Sequence, residues 1–204
     1  MRSPFSGTLP LAATTLAVVL AISGGSWASS SAPTAQQKFA AGGLVRMHLE
    51  AGDYTIQATD SDEIAVTCSS DDPEKLQKVR IDVKTSGTTA QVSVRDTPHN
   101  NFHVTIEVPR RSGLWVRLSA GDMKIEDIEG DKDIETNAGD LTIQVPHPEL
   151  YGHSDASVWA GDISASAFAV NKSGLFRSFH QSGPGKYRLH VHLLAGDLRI
   201  TTGT

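Results

Sequence analysis

The sequence predicts an all-β protein, a single-domain β-solenoid or β-helix-like repeat. Three observations lead to this fold class: the tripeptide Ala-Gly-Asp occurs five times, the flanking segments alternate apolar and polar residues, and the last four copies follow one another at short intervals. A short unit that recurs with the same flanks is typical of a repeat architecture. The copies begin at Ala51, Ala120, Ala138, Ala160 and Ala195.

The first 28 residues have the features of a secretory signal peptide. Arg2 precedes an apolar stretch from Leu9 to Ile22, and Ser26-Trp27-Ala28 gives the small-x-small pattern of a cleavage site. The apolar stretch is shorter than the roughly 20 residues that span a bilayer. We therefore expect a cleaved signal peptide at residues 1–28 and no transmembrane segment after cleavage; the alternative is retention as a membrane anchor.

The boundaries of the mature protein follow from this cleavage. Residues 29–43 are rich in Ser, Ala, Gly and Gln without a strand or helix period, which predicts a flexible linker. Residues 44–204 then form the β-repeat domain. We expect this domain to be exported, to the periplasm or to the extracellular cell surface.

Composition excludes some classes of partner. Without its signal segment the chain has 17 Lys and Arg against 23 Asp and Glu, a net charge of −6. Nucleic-acid binding needs a basic surface, so no nucleic-acid partner is expected. The single cysteine, Cys68, cannot form an intramolecular disulfide, and its place in an apolar alternation predicts a buried side chain.

The strands are predicted from apolar–polar alternation with period two. Val79–Val83, Val104–Val108 and Leu141–Val145 are examples, each bounded by turn-forming residues. One short helical segment is expected at Asp72–Lys78, where Pro73 fits the first helical position. All other regular structure is expected to be strand.

Each Ala-Gly-Asp unit interrupts the alternation and shifts its parity by one residue. In an uninterrupted strand this shift would turn the apolar residues that follow towards water, so a bend or bulge must absorb it. Glycine adopts positive φ at low cost, and Asp bonds nearby backbone N–H groups. The predicted structural turn residues are Gly52, Asp53, Gly121, Asp122, Gly139, Asp140, Gly161, Asp162, Gly196 and Asp197.

Spacing favours a solenoid over a hairpin protein. Successive copies from Ala120 onwards are about 18 to 35 residues apart, close to the period of stacked coils. The longest of these intervals contains an irregular stretch, residues 168–186, which predicts an inserted loop or a longer coil. The alternative architecture is a meandering antiparallel β-sandwich.

Three consecutive segments carry a resemblance to a known family. Phe102–Pro109 ends in Val-Pro, and Leu114–Asp122 and Thr136–Ile143 each contain Gly-Asp followed by alternating apolar residues. This pattern resembles the bacterial putative-adhesin family of repetitive β-solenoid-like domains, with Ala in place of the family's usual Ser before Gly-Asp. The resemblance implies an exported, envelope-associated domain, and it brings no catalytic residues.

Two hypotheses other than turn formation apply to the repeated aspartates. Stacked coils would place Asp122, Asp140 and Asp162 near one another, which suggests either a calcium ladder or a pair of carboxylates in a carbohydrate-active enzyme. Ca²⁺ takes six to eight oxygens, and a glycosidase needs two carboxyls in different environments. Neither condition fits one equivalent Asp per coil, so we predict no metal, no cofactor and no enzymatic activity.

Two other groups of side chains are candidates for binding. His190 and His192 share one face of a strand, and His180 could approach them in space. A metal site needs three or four ligands, so we interpret these histidines as polar residues exposed on the surface. Trp115 and Trp159 alternate with apolar neighbours and are expected to face outwards, as a surface for a ligand.

These observations predict a non-catalytic exported β-repeat domain that acts in cell-envelope binding, adhesion or scaffolding. Its partner would be an envelope protein or a glycan of unknown identity, and its oligomeric state is left open. The alternatives are a carbohydrate-active β-helix enzyme with a site among the aspartates, and a metal- or stress-sensing envelope accessory domain.

Overall fold

The polypeptide forms two mixed β-sheets that share one hydrophobic core. The computed structural model describes residues 34–98 and 101–203. The predicted signal peptide and the start of the predicted linker, residues 1–33, lie outside the described residues. Among the described helices, none has the length and apolar character needed to cross a membrane. The prediction of an all-β protein is confirmed.

The described residues form 17 strands, labelled in chain order. The nine-stranded sheet contains β1 (Thr34–Lys38), β3 (Asp53–Thr59), β4 (Glu63–Ser70), β7 (Phe102–Pro109), β9 (Met123–Glu126), β11 (Leu141–Gln144), β13 (Ile163–Ala165), β14 (Val170–Lys172) and β17 (Leu198–Thr201). The eight-stranded sheet contains β2 (Leu44–Leu49), β5 (Arg80–Ser86), β6 (Thr89–Arg95), β8 (Gly113–Leu118), β10 (Lys132–Ala138), β12 (Tyr151–Ala160), β15 (Leu175–Ser182) and β16 (Tyr187–Ala195).

Helical structure is short in the described chain. Helix α1 (Pro73–Leu76) begins after Asp72, whose side chain accepts a hydrogen bond from the backbone N–H of Glu74. This capping satisfies one of the free N–H groups at the helix start. Two 3₁₀ turns lie at Pro148–Leu150 and Ser166–Phe168.

Each Ala-Gly-Asp unit lies where the chain leaves the eight-stranded sheet and enters the nine-stranded sheet. The strand pairs joined in this way are β2 and β3, β8 and β9, β10 and β11, β12 and β13, and β16 and β17. Because the chain changes sheets at the parity shift, the apolar residues on both sides of the unit face the same core. In β8, Leu114, Val116 and Leu118 are buried, and Met123 in β9 is buried as well.

The five units stack side by side with parallel pairing in both sheets. Their order along the stack is β2, β8, β10, β16 and β12 in the eight-stranded sheet, and β3, β9, β11, β17 and β13 in the nine-stranded sheet. The unit that is last in the chain, at Ala195, therefore lies between the units at Ala138 and Ala160. Antiparallel strands follow at one end of the stack, where β15 pairs with β12 and β14 pairs with β13. At the other end β6 pairs with β2 and β7 pairs with β3, both in parallel.

This arrangement differs from the predicted architecture in two respects. The sheets do not form a closed solenoid, and the units do not stack in chain order, because the chain makes β14 and β15 before it returns as β16 and β17. The alternative of a β-sandwich fits the two sheets. The antiparallel meander expected for that sandwich is wrong, since ten of the fifteen strand pairings among the described residues are parallel.

Part of the predicted linker is ordered structure. Strand β1 lies within residues 29–43 and pairs antiparallel with β4 along its whole length. Phe39 follows β1, is buried in the core, and donates its backbone N–H to the carbonyl of Asp62 at 3.0 Å. The polar composition of this segment does not indicate a strand, because an edge strand with alternating exposure needs few apolar residues.

Candidate functional site

The predicted turn aspartates form a ladder of hydrogen bonds across the stacked units. In each unit, carboxylate Oδ1 accepts the backbone N–H of a residue in the next: Asp140 N–H to Asp122 at 2.8 Å, Asp197 N–H to Asp140 at 2.9 Å and Asp162 N–H to Asp197 at 3.0 Å. The ladder continues from Asp122 N–H to Asp53 at 3.4 Å and from Gly174 N–H to Asp162 at 3.0 Å. Each carboxylate therefore satisfies a backbone donor that the corner would otherwise leave to water.

The glycines of the same units are in close backbone contact. Gly121 donates its N–H to the carbonyl of Ala138 at 2.9 Å, and Gly139 donates to Ala195 at 3.0 Å. At Gly139 the φ angle is +118°, and an added Cβ would lie 2.2 Å from the Gly121 carbonyl oxygen. Only glycine fits where two corners approach this closely.

The outer face of the eight-stranded sheet carries both predicted tryptophans, in different environments. Trp115 is half-buried. The guanidinium of Arg117 lies 4.0 Å from its ring centroid, that of Arg46 lies 5.2 Å away, and the His48 ring packs at 5.0 Å. Carboxylates at Asp133 and Glu135 hold Arg117, each at 3.0 Å. Trp115 is thus covered by a fixed network of charged side chains.

Trp159 lies in an exposed apolar patch at the β15 edge of the same face. It is 51% exposed, and its ring meets that of Phe176 edge-on with centroids 5.6 Å apart. Strand register places Phe176 of β15 on one side of Trp159 and Leu194 of β16 on the other. We define the Trp159 patch as Trp159, Phe176 and Leu194; the last two are 69% and 40% exposed.

The two tryptophans do not form one surface. Strands β10 and β16 lie between β8, which carries Trp115, and β12, which carries Trp159. At the usual strand spacing this separates them by roughly 14 Å across the sheet. The structure therefore separates the two predicted tryptophans on this face, and of the two rings only that of Trp159 is more than half exposed.

The histidines of this face occupy different strands. His190 and His192 point outwards from β16, as their alternation predicts. The Nδ1 atom of His192 is 2.8 Å from the hydroxyl of Ser157 in the neighbouring strand β12. His180 belongs to β15, two strands away from β16, and its nearest ionic partner is Asp155, with Nδ1 3.5 Å from Oδ2.

The sequence reasoning missed His153 and Asp155 of β12. Their imidazole Nε2 and carboxylate Oδ2 are 2.9 Å apart. The spacing His-x-Asp on an alternating strand indicates that both side chains share a face. Their meeting with His180 depends on the antiparallel pairing of β12 with β15, which no local sequence pattern specifies.

The first residue of β10, Lys132, is a buried lysine. Lys132 is 1% exposed, and its Nζ donates to the carbonyl of Ile128 at 2.6 Å, to that of Gly130 at 3.3 Å and to the hydroxyl of Tyr151. Burial lowers the pKa of Lys132 to about 7, while nearby Asp131 and Glu129 oppose this shift. The contacts of Lys132 join β10 to the start of β12.

Cys68 is buried and unpaired, as its apolar position predicts. Burial raises the pKa of its thiol to about 12. A thiol in this state is a poor nucleophile, because the reactive form is the thiolate. Cys68 therefore belongs to the core and offers no chemistry at the surface.

Comparison with known proteins shows similarity of fold. The sequence matches no protein-family model and no curated protein. Among solved structures, the chain is similar to a putative cell adhesion protein from Clostridium sporogenes, with a TM-score of 0.51 and 13% identity over 83% of this chain and 99% of that one. It also matches a putative adhesin from Bacteroides fragilis, with a TM-score of 0.36 and 10% identity over 84% of this chain and 98% of that one. At this identity the Clostridium structure shows a shared fold.

Proposed function

We propose that this protein is an exported, non-catalytic adhesion domain that binds a protein partner at the cell surface through the Trp159 patch. The observation that carries the proposal is the exposure of three large apolar side chains on neighbouring strands at one edge of a sheet. Contiguous apolar surface of this kind is typical of an interaction site. Trp159 lies at the centre of the patch and would be its anchor, since buried tryptophans dominate the energetics of interfaces.

The backbone at Phe176 supports a functional role for the patch. Phe176 has a φ of +57°, a conformation that is unfavourable for a bulky residue. The surrounding strands hold it there, and its ring meets Trp159 edge-on. Residues kept in unfavourable conformations are concentrated at binding and active sites.

The chemistry of the patch favours a protein partner over a glycan. Leu194 offers no hydrogen bonds and Phe176 offers only an aromatic ring, whereas sugar recognition combines an aromatic face with polar groups that bond the hydroxyls. An apolar centre with an aromatic anchor is the usual composition of a protein interface core. Arg117 and Arg46 lie over the ring of Trp115, which leaves less aromatic surface for an extended glycan and supports a protein partner.

Two observations support export and a role in adhesion. Residues 1–28 have the pattern of a secretory signal peptide. The fold is shared with the putative cell adhesion protein of Clostridium sporogenes. Together they favour a domain that is displayed in the cell envelope or at its surface.

The enzyme alternative finds little support in the stacked aspartates. Asp122, Asp140 and Asp197 each use Oδ1 to accept a backbone N–H of a neighbouring unit. Acid–base catalysis by two carboxylates needs environments that separate their pKa values. The recurring hydrogen bond gives these carboxylates the same role at their corners, which supports a structural function over a catalytic one.

The test is an adhesion assay with fluorescent beads that carry residues 29–204. We would measure bead attachment to cells of the source organism that are untreated, stripped of surface protein with protease, or oxidised with periodate to destroy glycans. The test variant is Trp159→Ser with Phe176→Ser. The control variant is Trp115→Ala, which alters the other tryptophan of the same face.

We expect attachment that protease abolishes, that periodate leaves intact, and that falls at least tenfold in the Trp159/Phe176 variant but not in Trp115→Ala. Periodate-sensitive, protease-resistant attachment would instead assign a glycan partner and overturn the proposed partner class. Attachment that survives in the double variant would overturn the role of the patch. Beads that attach to no cells at all would overturn the adhesion function.

A further inference from the structure

We propose that His153, Asp155 and His180 form a binding site for a divalent transition metal of the Zn²⁺ class. One ligand atom from each residue lies within 4.8 Å of the other two. Asp155 Oδ2 is the shared partner, 2.9 Å from His153 Nε2 and 3.5 Å from His180 Nδ1. The two imidazole rings lie edge to face, with centroids 4.6 Å apart.

Strand geometry brings the three residues together. His153 and Asp155 are two residues apart in β12 and face outwards, and Asp155 is the direct antiparallel partner of His180 in β15. The pairing of β12 with β16 shifts register between Tyr151 and His153, so Tyr151 is buried while His153 is exposed. Irregularities of this kind re-aim side chains and are frequent beside functional sites.

The distances suit a small tetrahedral ion. Zn²⁺ binds imidazole nitrogen and carboxylate oxygen at about 2.0–2.2 Å, which places tetrahedral ligand atoms about 3.3 Å apart. The distances from Asp155 Oδ2 to the two ring nitrogens already bracket this value. Small side-chain rotations would close the remaining gap between the two imidazoles.

A neighbouring hydroxyl orients one of the ligands. Ser182 Oγ lies 3.2 Å from Nε2 of His180, the ring nitrogen opposite the one that faces Asp155. If Nε2 carries the proton and donates to Ser182, Nδ1 keeps its lone pair for a metal. Metal-bound histidines are commonly held by such a bond to their other nitrogen.

The donor set selects the class of ion. Two imidazoles and one carboxylate suit Zn²⁺, Cu²⁺ or Ni²⁺, whereas Ca²⁺ and Mg²⁺ prefer oxygen ligands. The three side chains are 40% to 56% exposed, which leaves the fourth position open to water. A bound ion would join strand β15, whose one pairing partner among the described strands is β12, to the body of the sheet.

The test is isothermal titration of Zn²⁺ into tag-free, chelator-treated protein comprising residues 29–204. We expect one Zn²⁺ per chain, and affinity at least about tenfold weaker in His153→Gln and in His180→Gln. The matched control is His103→Gln, because His103 also pairs with one carboxylate, Asp53, at 3.5 Å, but belongs to no group of three possible metal ligands among the described residues. This control should keep the wild-type affinity.

Two further measurements distinguish loss of metal binding from loss of folding. The affected side chains are exposed, so metal-free variants should melt at the wild-type temperature. Zn²⁺ at about 100 times its dissociation constant should raise the wild-type Tm by roughly 5–10 °C, and Ca²⁺ or Mg²⁺ should not. Absence of binding at millimolar Zn²⁺, or binding that persists in the double variant H153Q/H180Q, would overturn the site.

Discussion

The carboxylate Oδ1 of Asp140 accepts the backbone N–H of Asp197 at 2.9 Å, although 57 residues separate the two in sequence. The two aspartates occupy the same position in stacked Ala-Gly-Asp units. The same bond recurs from unit to unit, so the repeat in sequence becomes a ladder in space. The aspartate side chain of each unit in these bonds therefore stabilises the corner of its neighbour.

Replacing Asp140 by Ala should lower the free energy of unfolding by about 1 kcal/mol, because the N–H of Asp197 loses its acceptor. Asp140→Asn should lower it less, since the amide keeps an oxygen at the same position. Urea unfolding of both variants measures the difference.

The control for this comparison is Asp60→Ala. Asp60 is 88% exposed and pairs with Arg110 at the surface, so its loss should change stability by less than about 0.5 kcal/mol. Equal destabilisation by Asp140→Ala and Asp140→Asn would mean that charge, and not the hydrogen bond, is what the corner requires.

Gly139→Ala should destabilise the protein by more than about 2 kcal/mol. The new Cβ would have to sit 2.2 Å from the carbonyl oxygen of Gly121, at a φ of +118°. Gly87→Ala separates the two causes, because Gly87 has a φ of +57° and open space around it. Gly87→Ala should lower the free energy of unfolding by about 1 kcal/mol. Thermal melts that rank the two variants equally would show that backbone contact between units contributes nothing.

The sequence predicts the corners of this fold better than its topology. The parity shift from Leu118 to Met123 shows locally that the chain must bend, and there the structure has a change of sheet. The order in which the units stack cannot be predicted in this way. Whether the unit at Ala195 lies beyond Ala160 or inside it depends on packing between distant segments, and no local pattern encodes that choice.

The candidate sites show the same division. Alternation correctly predicts that Trp115 and Trp159 face outwards. It does not predict that Arg117 covers Trp115, because that contact depends on the carboxylates of a neighbouring strand. The sequence suggests that His180 approaches His190 and His192 of β16, but the partners of His180 are on β12.

Ala169→Gly should stabilise the protein by about 1 kcal/mol. Ala169 ends a 3₁₀ turn in the left-handed conformation, with φ 56° and ψ 34°, which penalises a side chain. The matched control is Ala167→Gly in the same turn, where φ is not positive and the methyl group packs against the core. That change should destabilise, and chemical denaturation of both variants tests the opposite signs. A loss of stability in Ala169→Gly would contradict the prediction.

Lys132 should make stability rise with pH. Its pKa is lowered by burial from 10.5 to about 7 in the folded state. Between these values the unfolded chain binds a proton that the folded chain has released, so the free energy of unfolding increases with pH; below about pH 7 both states are protonated and this contribution is flat. The increase from pH 7 to pH 8.5 should be about 2 kcal/mol.

Urea unfolding of wild type and Lys132→Met across pH 6 to 8.5 isolates this effect, because the methionine removes the titrating group while it fills a similar volume. The wild-type curve should rise above pH 7 and the Lys132→Met curve should not. Lys75→Met is the control, since Lys75 is a half-exposed lysine beside Asp72 and should leave the wild-type slope unchanged. Parallel curves for wild type and Lys132→Met would show that the ammonium stays protonated in the core. Its three oxygen acceptors, the carbonyls of Ile128 and Gly130 and the hydroxyl of Tyr151, would then outweigh the loss of hydration.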